Sequence, residues 1–179
     1  MNTMNVIQRS KNRESSELFN KVEHLDNLFL FSTAILFSLT DILSTILCIE
    51  KNGYGYEGNV FIREIIHSTG VLGFVIVKFC LALFALLITY SIIEHRNFFG
   101  WKYVKMFYGI YVGSIISSIF VTVSNLSVIY AGSSLYFLNL DPYQIAVILL
   151  FTAPLTGFFL DTINNQKKTL RPQNYADIR

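Results

Sequence analysis

Residues 28–50 read LFLFSTAILFSLTDILSTILCIE, and residues 70–93 read GVLGFVIVKFCLALFALLITYSII. At a rise of about 1.5 Å per residue, each stretch is long enough to cross about 30 Å of hydrocarbon as a helix. Each also carries one ionisable residue well inside its apolar run, Asp41 in the first and Lys78 in the second. A charge at the centre of a membrane helix costs about 2.5–3.5 kcal/mol on insertion scales, so such a residue is kept for a partner or a task.

Two further runs, 103–130 and 143–163, are long and apolar enough to span, which with 28–49 and 70–93 makes four. The composition agrees: 53% of the 179 residues are hydrophobic and 15% are charged, where a soluble domain carries nearer a quarter charged. The expected fold class is all-α, a polytopic membrane protein built as a bundle of four transmembrane helices. Its parts are a cytoplasmic tail over 1–27, a helical domain over 28–163 and a second tail over 164–179. A net charge of +2 does not indicate nucleic acid. The first 24 residues are polar and the first apolar run outlasts a signal-peptide core, so the first helix reads as a retained anchor.

Lys and Arg alternate between the two sides of this layout. Arg9, Lys11, Arg13 and Lys21 precede the first span, Arg96, Lys102 and Lys105 follow the second, and Lys167, Lys168, Arg171 and Arg179 follow the fourth. The opposite side holds Lys51 and Arg63 alone. The excess of positive charge marks the cytoplasmic side, so the chain is expected in the cell membrane with both termini cytoplasmic.

Smaller patterns refine the picture. Leu18, Val22, Leu25 and Phe29 recur at helical spacing, as either a short interfacial helix or a cytoplasmic extension of the first span. Gly109, Gly113 and Ser117 form a small-residue stripe that lets helix backbones approach closely, read as a packing seam within the bundle or else an oligomer contact. Pro154 loosens the fourth span, because proline removes one backbone hydrogen bond. Asp161, near the cytoplasmic end of that span, reads as an interfacial cap. Cys48 and Cys80 read as buried apolar cysteines, at depths too different for a disulfide and with no histidine at ligand spacing for a metal.

The first span runs outward and the second returns. Asp41 lies eight residues before the outer end of one, and Lys78 eight residues after the outer start of the other, so both sit about 12 Å below the outer boundary. A direct pair is expected between neighbouring helices. Ser38, Asp41 and Thr45 share a helical face, as do Ser118, Thr122 and Asn125 on the third span. Thr152 on the fourth reaches the same level. The convergence points to an outward-facing polar pocket, although an Asp–Lys pair can also serve only to fix helix register.

The first connection is KNGYGYEGNVFIREIIHST. Gly53, Gly55 and Gly58 match G-x-G-x-x-G, but the dinucleotide fold needs a strand and a βαβ unit, and neither is expected here. Asn59 is a suitable helix N-cap. Val60, Phe61, Ile65 and Ile66 alternate with Arg63, Glu64 and His67, which predicts a short amphipathic helix in this outer loop. The arrangement D-x-x-x-T, then E-x-N after a glycine-bearing loop, then a lysine within a span resembles a family of small four-span membrane proteins of unknown function found in archaea and bacteria. The family pattern falls on Asp41, Thr45, Glu57, Asn59 and Lys78, with Val60 where the family has proline. The resemblance covers about residues 28–93 and implies that Glu57 and Asn59 belong with Asp41 and Lys78; it implies no activity.

Three functions compete. A binding or transport protein would use oxygens of Asp41, Thr45, Glu57, Asn59, Thr122 and Asn125 on a cation or small ligand, with Lys78 as internal counter-charge. A subunit of a larger membrane complex or homo-oligomer would use the pair for register. An intramembrane enzyme acting on a lipid or lipid-linked substrate would use Asp41 and Glu57 as acid and base, but no H-E-x-x-H or G-x-S-x-G motif accompanies them. A non-catalytic membrane protein ranks first, with the bilayer as its evident partner; no residue pattern names a cofactor. The charge asymmetry predicts that a reporter fused to the C-terminus reads as cytoplasmic; an extracytoplasmic reading would overturn the topology.

Overall fold

The computed structural model of the chain describes residues 3–53, 60–99, 102–137 and 139–170, with the side chains of that range other than those of 3–23, 61, 97, 99 and 167–170. Five helices account for nearly all of it: α1 (Thr3–Asn52), α2 (Val60–Glu94), the single turn α3 (Arg96–Phe99), α4 (Val104–Ala131) and α5 (Pro142–Leu170). Four of them contain segments long and apolar enough to cross a membrane, within His24–Asn52, Ile62–Glu94, Val104–Ala131 and Pro142–Gln166. The protein is an all-α, four-helix, multi-pass membrane protein. The backbone of α1 is one continuous helix from Thr3, so the N-terminal tail extends the first span rather than forming a separate element.

The helices invert the pattern of a soluble bundle. On α1, Leu25, Leu28, Phe29, Leu36, Leu43 and Leu47 are exposed, while Asn27, Ser38, Asp41, Ser44 and Thr45 are buried. In hydrocarbon an exposed leucine costs nothing and an exposed hydroxyl lacks a partner, so small and polar groups turn inward.

Packing places α4 centrally, against α5 most extensively, then against α1, with α2 held mainly by α1. The small-residue stripe explains the first of these contacts. A methyl group on Gly113 would come within 2.7 Å of the Leu150 carbonyl oxygen, and one on Gly109 within 2.6 Å of Ala153 O and Pro154 Cα. Pro154 has no N–H to offer the carbonyl four residues earlier, and that carbonyl is Leu150 O, the one lying against Gly113. Ser117 Oγ continues the seam by donating to Ala146 O at 3.0 Å. The stripe is thus an internal seam, and α5 passes through Pro154 as one helix.

At the other end of the same seam, the first turn of α4 has no side-chain cap of its own. Asp161 of α5 supplies one: its buried carboxylate accepts the Lys105 backbone N–H at 2.7 Å. An anionic acceptor at a helix N-terminus satisfies an orphan donor and complements the helix dipole. The interfacial cap expected of Asp161 therefore acts on a neighbouring helix. Gly157, one turn earlier, lets the Lys105 carbonyl approach; a side chain there would run into it.

The amphipathic helix of the first connection is present as residues 60–69 and is set off from the span by Gly70, whose φ of 73° and ψ of 178° break the helix. Ile66 is buried with Ile42, Ile49 and Phe74, and Ile62 and Ile65 pack on the same cluster. The segment is thereby docked onto the C-terminal end of α1. A second apolar cluster, Ala34, Leu86, Ile93, Phe107 and Tyr111, joins α1, α2 and α4 toward the other end. Cys48 is buried as expected, but Cys80 is exposed on the outer face of α2, and no disulfide joins them. The seam predicts that Gly113→Leu destabilises the folded protein by about 1–3 kcal/mol or more through overpacking, whereas Val112→Ala, at an exposed neighbour, stays within about 0.5 kcal/mol. Thermal unfolding in detergent checks both.

Candidate functional site

The α1 register that buries Ala34 also buries Asp41 seven residues later, facing α2 and α4. Lys78 reaches it from α2: Nζ donates to Asp41 Oδ1 at 2.9 Å. The ammonium also lies 5.4 Å from the centroid of the Phe74 ring, one turn away on α2, within cation–π range. The two side chains are 26% and 12% exposed, so the pair is largely withdrawn between the helices.

On the side toward the first connection, Asp41 is backed by hydroxyls and an amide. Thr45 Oγ1 lies 2.9 Å from Asp41 O and 3.4 Å from Asp41 Oδ1, and Ser44 Oγ donates to Asp41 O at 2.9 Å. Asn125 crosses from α4, its Nδ2 donating to Ser44 Oγ at 3.0 Å and to Thr45 Oγ1 at 3.1 Å. Lys78, Asp41, Thr45, Ser44 and Asn125 thus form one chain of hydrogen bonds across three helices. Thr122, a turn earlier on α4, has a buried Oγ1 with no partner.

On the other side of the pair lies a cavity of about 160 Å³, lined by Ser38, Asp41 and Ile42 of α1, Lys78 and Ala82 of α2, Ser114, Ser117 and Ser118 of α4, and Leu150 of α5. Its position differs from the sequence expectation of a pocket facing the first connection. Ser38 precedes Asp41, and Ala82 follows Lys78, so the open space lies toward the apolar cluster of Ala34, Leu86 and Tyr111. The side toward the first connection is filled by Ile42, Ile49, Ile66 and Phe74. Thr152 does not join: it is exposed and donates back to Ile148 O at 2.6 Å, and α5 contributes Leu150 instead. Glu57 and Asn59 lie outside the described residues. Among the described residues, no three His, Cys, Asp or Glu side chains gather as a metal site.

A second polar network closes the opposite end of the bundle, away from the first connection. Tyr111, fully buried, donates its hydroxyl to Asn27 Oδ1 at 3.0 Å. Asn27 Nδ2 in turn donates to Glu94 Oε2 at 3.3 Å and Tyr90 O at 3.4 Å, and His24 Nδ1 lies 2.8 Å from Glu94 Oε1. Sequence reasoning missed these residues, although a signal was present. Asn27, Ala34, Asp41 and Cys48 recur every seven residues, all at or below 9% exposure, so extending the Asp41 face backward reaches Asn27.

A sequence model of a domain of unknown function, DUF5658, matches residues 32–131, more than half of the chain. The match takes in the pair, the serines of the cavity and Asn125, and ends before α5. No curated protein matches. No solved structure matches. The chain belongs to the DUF5658 family. The pair predicts strong coupling in a double-mutant cycle: Asp41→Asn and Lys78→Met each destabilise more than the double substitution, with a coupling energy of about 0.5–3 kcal/mol by chemical unfolding in micelles. Additive effects would show that the contact carries no stability.

Proposed function

We propose that this member of the DUF5658 family is a non-catalytic protein of the cell membrane, with both termini cytoplasmic, that binds a small polar ligand at Asp41 and Lys78. One observation carries the reading: the pair borders a cavity of about 160 Å³ whose wall includes four serines. A pair needed only for helix register is best served by close packing around it, because an unfilled polar space forfeits both dispersion contacts and hydrogen bonds.

The charge state favours a hydrogen-bonding solute over a bare cation. Asp41 already faces an ammonium at 2.9 Å. A cation entering beside Lys78 at about 4 Å would meet a repulsion of about 4 kcal/mol at an effective dielectric of about 20. A ligand with no net charge leaves the pair intact. Thr45 reaches the carboxylate from behind and Asn125 holds Thr45 in place, which is how supporting hydrogen bonds pre-organise a binding group. The enzyme reading has less support, since Asp41 is the single carboxylate lining the cavity among the described residues.

The test is ligand-dependent thermal stability of the full chain in lipid nanodiscs, with Na⁺, K⁺, Mg²⁺, Ca²⁺, glycine, urea and glycerol as probes. Binding to the folded state alone raises the unfolding free energy by about 2.7 kcal/mol at 100 times the dissociation constant. The expected result is a rise with a net-neutral solute that is lost in folded Asp41→Asn and Lys78→Met. A response to cations alone would replace the solute by an ion, and no response to any probe would sink the reading.

A further inference from the structure

Serine and threonine in apolar helices usually donate to a carbonyl of the preceding turn. Thr33, Thr89, Thr152, Thr156 and Thr162 do so in this protein. Ser38, Ser114 and Ser118 do not. All three line the cavity beside the ion pair, and Ser38 and Ser118 are only 8% and 7% exposed. Ser117, between them, commits its proton to Ala146 O and presents its oxygen as an acceptor. The hydroxyls of Ser38, Ser114 and Ser118 line the cavity with no carbonyl of the preceding turn as acceptor, which leaves them available to a polar occupant.

We infer that the cavity takes a small uncharged polyol of about the size of glycerol; the inference rests on the ligand-binding reading above and names its ligand class. The charge of the site points this way. Asp41 and Lys78 cancel at 2.9 Å, and a further face of the ammonium is occupied by the Phe74 ring. No unmatched charge remains to hold an ion. The chemistry of the wall agrees. Hydroxyls approach from α1 and α4, while Ile42, Ala82 and Leu150 supply apolar surface. A polyol offers the complement, with hydroxyls that both donate and accept, carried on a carbon backbone. Size sets the limit. At about 30 Å³ for each water's share of liquid, 160 Å³ corresponds to about five waters. That suits a three-carbon polyol better than a disaccharide.

Saturation-transfer NMR on the full chain in lipid nanodiscs tests this, with glycerol as the probe and sucrose as the size control. Ser118→Leu fills the cavity. The double change Ser38→Ala with Ser118→Ala removes two hydroxyls while keeping the space, and guards against misfolding of the first variant. The expected result is a saturable glycerol signal, absent for sucrose, that weakens about tenfold in the double-alanine variant, the loss expected for one or two hydrogen bonds. An equal glycerol signal in folded variants, or an equal sucrose signal, would mean association with lipid or surface and would overturn the inference. Protection by glycine or a cation with no glycerol signal would remove the polyol and leave the ligand-binding reading standing. Silence from every probe would remove both.

Discussion

Between helices in hydrocarbon there is no water to satisfy a polar side chain, so each such group must find its partner on another helix. On α1 this constraint selects the buried face. Asn27, Ala34, Asp41 and Cys48 lie along it, and the leucines are left on the outside. Each polar group then recruits a neighbour. Asp41 takes Lys78 from α2, Ser44 and Thr45 take Asn125 from α4, and Asn27 takes both Tyr111 of α4 and Glu94 of α2. The arrangement of α1, α2 and α4 follows from these partnerships.

The result is layered along the helix axes. The Asn27 network closes one end, and the apolar cluster around Ala34, Leu86 and Tyr111 follows. The ion pair and its serine-lined cavity come next, then the apolar cluster that includes Ile66 of the loop helix. Apolar layers on either side keep the dielectric around the pair low, which strengthens a satisfied polar contact and penalises an unsatisfied one. Against that background stand Ser38, Ser114 and Ser118, which line the cavity, and Thr122, whose buried Oγ1 has no partner. The fourth helix is held differently, by the close backbone approach that Gly109, Gly113 and Gly157 permit and by the Asp161 cap on α4.

Much of this was legible in the residues. Hydrophobic length placed the spans, and counting residues from the first connection brought Asp41 and Lys78 to one level because helix rise is nearly constant. The small-residue stripe was recognisable, and so was the amphipathic segment after the first loop. The site was legible in part. Asp41, Lys78, Thr45 and Asn125 meet as their shared faces suggest. Thr152 does not, since its depth was right and its helix face was wrong. The Asn27 network was missed because Asn27 stands at the margin of the first apolar run, where a polar residue looks interfacial.

The sequence by itself determined the number of helices, their lengths and the depth of each polar group, because these depend on backbone rise and on transfer of side chains out of water. It also determined that α1 has a polar face and a leucine face, since both share one helical period. Only the tertiary structure decided which helices are neighbours, and hence that the space beside the ion pair is walled by Ser38, Ser114 and Ser118 and lies away from the first connection. Depth is a property of one helix. A cavity depends on the rotation of several helices about their axes, and that is set by packing between residues far apart in the chain.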